Sequence, residues 1–432
     1  MLLVSRWTFW VKVVCLASVL LFQVPVSGRA VEITVPAAPG TLEKALMDAK
    51  DGDHLILAPG VHRGPVIISR SIDLTGFAGA VIEGAGTGNA ITVDAPDVRI
   101  HGLTVTGSGL TLSTQDSGIF VTENGDRARI EDNRILDNLI GVYLSGPENA
   151  VVMNNDIVGR RDLRVNERGN GVQLWNTPGS KIVGNRVSQG RDGIFVTTSK
   201  RNLFADNVFR DVRFAVHYMY TNDSEIRGNR SYGNTVGYAL MYSDHLRVFD
   251  NLSRGDRDHG IMMNYANSSV FKGNAVEDGG TKCVFIYNSN KNRFEDNLFR
   301  NCQIGIHFTA GSERNAIVGN AFVGNRTQVK YVGTRWLEWS ENGRGNYWSD
   351  NVAFDLNGDG IADQPYRPND VIDQVIWAYP AAKLLINSPA LQILKWAQSR
   401  FPALHPGGVV DSAPLMAPPA VNITRKETRH AG

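Results

Sequence analysis

His217, Met219, Met241 and Met262 combine one imidazole with three thioethers. That donor set is soft, suited to Cu(I) and poorly suited to Mg2+ or Ca2+. Methionine is scarce, with 8 in 432 residues, yet Met219, Met241, Met262 and Met263 fall within 45 residues. His245 and His259 lie close in sequence, and His259 can swing in beside Met262 as a reserve ligand. A second group, Asp355, Asn357, Asp359 and Asp363 in DLNGDGIAD, has the spacing that opens an EF-hand-type calcium loop, with Gly360 at the sharp turn. Position twelve is Tyr366 instead of Glu and no flanking helix is evident, so a Ca2+ loop and a hydrogen-bonded acidic turn both stand. A third group, Asp256, Asp258 and His259 with Arg213 and Arg257, offers carboxylates and cations for a polysaccharide lyase, hydrolase or epimerase.

The elements that must position these groups come from a repeat. Asparagine recurs at Asn133, Asn155, Asn185, Asn207, Asn229, Asn251, Asn274, Asn297 and Asn320, at intervals of 22, 30, 22, 22, 22, 23, 23 and 23. In step with it runs a signature of a small, a β-branched, a variable and an apolar residue, as in GIFV (193–196), AVHY (215–218), GYAL (237–240) and GIMM (260–263). Two signals locked at one period mark a repeat protein. The units hold short Val/Ile/Phe runs broken by Asn, Gly and Asp, with no stretch long enough for a helix. Leucine-rich repeats share this length range, but their template is absent. Coils of about 22 residues predict an all-β, right-handed parallel β-helix, the hand following the general crossover preference. Stacking places equivalent residues about 4.8 Å apart, so the asparagines are expected to form a structural ladder.

Register then sorts the side chains. The second and fourth signature positions are apolar in every unit and point inward, which sends the third and fifth outward. In three consecutive coils the outward positions hold His217 and Met219, Ala239 and Met241, then Met262. The alanine leaves room at the centre for long side chains to converge. The competing reading is an apolar stripe covered by a partner or a loop, because Phe120, Tyr143, Phe195, Phe285 and Tyr287 share these columns. A purely structural or adhesive solenoid is a third reading.

Composition narrows the classes further. Hydrophobic residues at 42% and charged residues at 20% exclude global disorder. Lys plus Arg at 44 against Asp plus Glu at 43 leaves no basic field to hold nucleic acid. The 44 glycines and many asparagines point to turns instead of helices. Three cysteines make no disulfide framework.

The expected organisation has five parts. Residues 1–30 read as a signal peptide cleaved near 28–30, with Arg6 and Lys12 before the apolar run Val13–Val24; an uncleaved anchor is the alternative. The mature chain would then be exported, carry a net charge of −2 and retain Cys283 and Cys302, 19 apart and three short of a full coil, so that a bond needs a favourable bend. Residues 31–54 form an N-terminal cap, with Thr41 as N-cap of a helix reaching Lys50 and Leu42, Ala45, Leu46 and Ala49 facing the core. The β-helix spans 55–350. An Arg-rich insertion at Arg160–Glu167 is a partner contact or a solvated loop. Residues 351–402 hold the acidic loop and an apolar, more helical stretch from Val371 to Phe401, either an end cap or a docking element. Residues 403–432 read as a flexible tail.

The coil repeat resembles the carbohydrate-binding and sugar-hydrolase β-helix type. GNYWSD, DLNGDGIADQPYRP, VIWAYPAAKLLINSPALQILKWAQSRFP and the terminal VVDSAPL make nearly the whole mature chain similar to the NosD family, periplasmic maturation proteins of nitrous oxide reductase. The repeat motifs are generic and the C-terminal segment is specific. The resemblance implies a non-enzymatic copper-handling role, working with the permease NosY and the ATPase NosF of an ABC transporter. It implies copper received from the lipoprotein NosL and used for the copper–sulfur cluster of NosZ, with sulfur as a further cargo. The apolar C-terminal stretch becomes the docking element for the permease. The ligands come from the register alone.

Overall fold

The computed structural model describes residues 30–421 except 310, 334, 370–374, 376–378, 386–387 and 402–406. The expected signal segment thus falls, apart from Ala30, outside the described residues. The repeats stack into a solenoid with three parallel sheets. One has thirteen strands running from Glu32–Val35 to Ala316–Val318; a second has twelve, from Val66–Ile68 to Thr327–Val332; the third has thirteen, from Gly60–Arg63 to Tyr347–Trp348. Each strand pairs with its equivalent in the next coil, so successive strands in sequence lie in different sheets.

The inward columns follow the alternation. Ile194, Val216, Tyr238, Ile261 and Val284, and Val196, Tyr218, Leu240, Met263 and Ile286, are all buried. The asparagines form the ladder. Asn229 Oδ1 accepts the backbone N–H and the side-chain amide of Asn207 at 3.0 and 2.9 Å, and Asn229 Nδ2 donates to Phe204 O and to Asn251 Oδ1. The pattern continues to Asn346, beyond the nine positions read from the sequence. Because every donor and acceptor finds a partner, a row of buried amides carries no desolvation cost left uncompensated.

Both ends are closed. The helix Thr41–Asp48 buries Leu42 and Leu46, and Ala49 beyond it is buried too. Thr41 does not cap it: Gly40, in the left-handed region at φ 72°, holds the N-cap position, and the Thr41 hydroxyl donates to Pro36 O and Ala38 O. Glycine suits that conformation because it has no Cβ to clash. At the other end the closure differs from the expected flexible tail. Gly408–Val410 pairs with Trp336–Glu338, and buried Asp411 accepts from Asn346 N and from Trp348 Nε1, both at 2.7 Å. Trp348 stacks on Phe322 at 4.4 Å and lies 4.8 Å from Tyr366. The contact between Asp411 and Asn346 spans 65 residues, which no local pattern signals. Cys283 and Cys302 are bonded, with Cα atoms 5.7 Å apart.

The acidic loop is a turn whose carboxylates accept the loop's own amides. Asp355 takes Gly358 N and Gly360 N, Asp359 takes Ile361 N, and Asp363 takes Leu356 N. Tyr366 at the twelfth position donates its hydroxyl to Asp350. In the stretch beyond, the helix Pro389–Arg400 leaves Ile393 and Trp396 66% and 60% exposed. No helix among the described residues is long and apolar enough to cross a membrane.

Candidate metal centre

Strands Phe214–Asn222, Val236–Met241 and His259–Asn264 are neighbours in the twelve-stranded sheet. Their register pairs His217 with Ala239 and Ala239 with Met262, and pairs Met219 with Met241. The column therefore stacks as the spacing predicts. Ala239 faces away from the core yet is 0% exposed. Side chains around it must close over its methyl group, and those adjoining it in register are His217, Met262 and Met241. Met219, Met241 and Met262 are themselves half-buried.

His217 is held from behind. Its Nδ1 lies 3.0 Å from Asp192 Oδ2, and the two Asp192 oxygens also accept Arg213 Nε and a terminal guanidinium nitrogen at 2.9 and 2.7 Å. Asp192 is fully buried. Burial pushes its carboxyl up, but the hydrogen bonds from His217 and Arg213 and the guanidinium charge more than offset this, leaving it below the ordinary carboxylate value. In the tautomer that donates Nδ1–H to ionised Asp192, Nε2 keeps its lone pair, an orientation used for metal-binding histidines. The rings of Phe195 and Phe214 lie 5.0 and 4.9 Å from the imidazole and keep it dry.

His259 stands at the start of its strand, paired with Val236 and Lys282 instead of with the His217 column. Its ring lies 5.5 Å from Phe285, and His307 lies 5.1 Å from the same ring on the far side. Burial, then the charge of Lys282, lowers the pKa of His259. Burial with Lys282, Lys330 and His259 lowers that of His307 to about 4. Both imidazoles are neutral at pH 7, and each has a buried Nδ1 without a hydrogen bond. His307 stands in the outward column, but the sequence marks it no more than its aromatic neighbours. Asp192 was missed because it precedes the signature by one residue and reads as an ordinary turn acid.

A rim of tyrosines borders the patch. Tyr220 stacks on Tyr242 at 5.1 Å, Tyr242 on Tyr265 at 5.2 Å, and Tyr287 adds an edge contact. All four are exposed.

Of the residues expected of a sugar enzyme, Asp258 lies close enough to His259 to act on it, but Asp256, Arg213 and Arg257 are engaged elsewhere. Asp256 is buried in the turn, where Ser231, Ser253 and Asn234 N donate to it. Arg213 serves Asp192, and Arg257 donates to Thr235 and Gly233 O.

The family model described as "Periplasmic copper-binding protein (NosD)" matches residues 153–353, which include the whole His/Met patch. A "Probable ABC transporter binding protein NosD" of Stutzerimonas stutzeri is 41% identical over 89% of this chain and 91% of its own. That of Pseudomonas aeruginosa is 42% identical over 86% of this chain and 90% of its own. Among solved structures, the A-module of the Azotobacter vinelandii mannuronan C-5 epimerase AlgE6 has a TM-score of 0.55 at 14% identity, covering 67% of this chain and 90% of that one. That likeness is one of fold alone. With two relatives above 40% identity along nearly their full length, the chain belongs to the NosD family.

Proposed function

We propose that this chain is a periplasmic accessory protein that binds Cu(I) as cargo and releases it for maturation of nitrous oxide reductase. The observation that carries the reading is the register: His217, Met219, Met241 and Met262 surround a buried, outward-facing alanine. His259 is the reserve donor. The site brings no net charge of its own to a monovalent soft ion, since the Asp192 carboxylate is balanced by Arg213. Thioethers hold Cu(I) without deprotonation and exchange one at a time, which suits transfer better than a closed thiolate cage.

Family membership supports an ABC transporter as partner; the reading extends this to the permease NosY and ATPase NosF, to NosL as copper donor and to NosZ as client, with sulfur a second cargo. The exposed apolar side chains of Ile393 and Trp396 support the 371–401 segment as the docking element for the permease. The tyrosine rim supplies a contact surface for a copper-carrying partner. Calcium in the Asp355, Asn357, Asp359 and Asp363 loop is a separate proposal, checked by whether Ca2+ shifts the unfolding midpoint and Asp359→Asn removes the shift.

Cu(I) titration of residues 31–432 against a competing chelator tests the cargo reading. Replacing Met219, Met241 and Met262 together by Leu is expected to weaken binding at least a hundredfold while leaving the fold intact. Unchanged affinity would remove the site. Turnover of alginate or a pectin-like polymer, lost in Asp258→Asn, would replace the reading with an enzyme.

A further inference from the structure

A second cluster lies far from the His/Met column, on the outer face of the thirteen-stranded sheet that begins at Glu32–Val35. Strands His54–Leu57, Asp73–Gly76 and Arg99–His101 are consecutive there. His54 pairs with Asp73, and Thr75, two residues along, pairs with His101. Leu55, Leu74 and Ile100 fill the core between them, so the two histidines and the aspartate share the opposite face. One donor atom from each of the three lies within 4.8 Å of the others; among the described residues no other group of three His, Cys, Asp or Glu side chains does so.

Two details distinguish this cluster from an ordinary ion pair. His54 Nε2 is buried with no hydrogen-bond partner, a state that destabilises the fold when nothing compensates it. The other two residues present a graded support. His101 Nε2 lies 2.8 Å from Asp73 Oδ1, and its Nδ1 lies 3.3 Å from the Thr75 hydroxyl. Asp73 Oδ2 is 3.5 Å from Arg99, which is itself held by Glu131. A hydroxyl can accept from Nδ1–H as readily as donate to Nδ1, so His101 is free to present a lone pair at Nε2. Arg99 holds the far carboxylate oxygen and leaves Oδ1 turned to the histidines.

We propose that His54, Asp73 and His101 bind a divalent transition-metal ion. Two imidazoles and a carboxylate form a borderline donor set, suited to Zn2+, Cu2+ or Ni2+ and not to the Cu(I) of the thioether patch. Three protein ligands leave a position for water. The ion would bridge three coils in the part of the solenoid that lacks the asparagine ladder, which begins at Asn133 and reaches back only to Leu103 N and Ile100 O.

Residues 31–432, freed of metal, are titrated with Zn2+ in competition with a chromophoric chelator. One Zn2+ per chain is expected at this site, with affinity lowered at least tenfold in His54→Ala and in His101→Ala, and unchanged in the Met219/Met241/Met262→Leu variant. Hydrogen exchange on the wild-type chain avoids dependence on variants that fold poorly. Zn2+ is expected to slow exchange at least tenfold in 54–57, 73–76 and 99–101. Absence of saturable binding, unchanged affinity in both histidine variants, or unaltered exchange in those strands with Zn2+ bound overturns the proposal.

Discussion

The asparagine ladder and the outward His/Met column arise from the same stacking, and their contrast shows how a solenoid separates structure from chemistry. Ten asparagines, from Asn133 to Asn346, repeat one residue in one turn, and each coil satisfies the next. The column Phe195, His217, Ala239, Met262, Phe285, His307 and Lys330 repeats a position but changes the residue every coil. Repetition gives every coil the same partner and so serves stability. Variation places unlike donors side by side about 4.8 Å apart, which is what a binding site requires.

The sharpest break of that contrast is Asn229→Ala. It strands the amides of Asn207 and the carbonyl of Phe204, all buried, and is expected to cost about 3–5 kcal/mol; urea unfolding with hydrogen exchange at neighbouring coils checks it. Replacing Cys283 and Cys302 together by Ser reopens a 19-residue loop and is expected to cost about 3 kcal/mol by chain entropy, read as faster proteolysis of the C-terminal coils. Asp192→Asn leaves the ladder untouched but loses an acceptor shared by Arg213 and His217. Cu(I) affinity should fall about 10–100-fold, the usual effect of disturbing a ligand's supporting partner.

Two smaller effects refine the picture. His307 has a folded pKa of about 4 against an ordinary value near 6.5, so the folded chain binds fewer protons than the unfolded one between those pH values. Stability relative to His307→Leu should be constant above pH 6.5 and decline as the pH falls towards 4, measured by urea unfolding at several pH values. Met241→Leu, a near-isosteric change at a half-buried site, should cost at most about 1.5 kcal/mol and leave exchange in the ladder unaltered.

Much of this was legible because coil length is nearly constant from Asn185 onward. A fixed interval converts sequence position into spatial column, so the ladder, the core faces and the pairing of His217, Ala239 and Met262 could be written down in advance. Where the interval varies, the conversion fails. Thr75 and His101 face each other across 26 residues, in early coils without a common period, and that cluster had no sequence signature. Asp192 carries no signal because its role depends on Arg213 and His217 reaching back one coil. The closure by Asp411 was hidden for a different reason. Its segment is rich in Pro and small residues, and its order comes entirely from distant partners.

That closure also has a consequence for assembly. A stack of coils has no intrinsic length, and its last rung offers the same amides and flat apolar face as every rung before it. Asp411 occupies the amide of Asn346, and buried Trp339 and Trp348, stacked on Phe322, cover the apolar face. The chain thereby withholds from a second molecule the surface on which it would dock end to end. Loss of the segment beyond residue 407 opens this end alone, the other staying closed by the helix Thr41–Asp48, and is expected to give end-to-end dimers, read by light scattering.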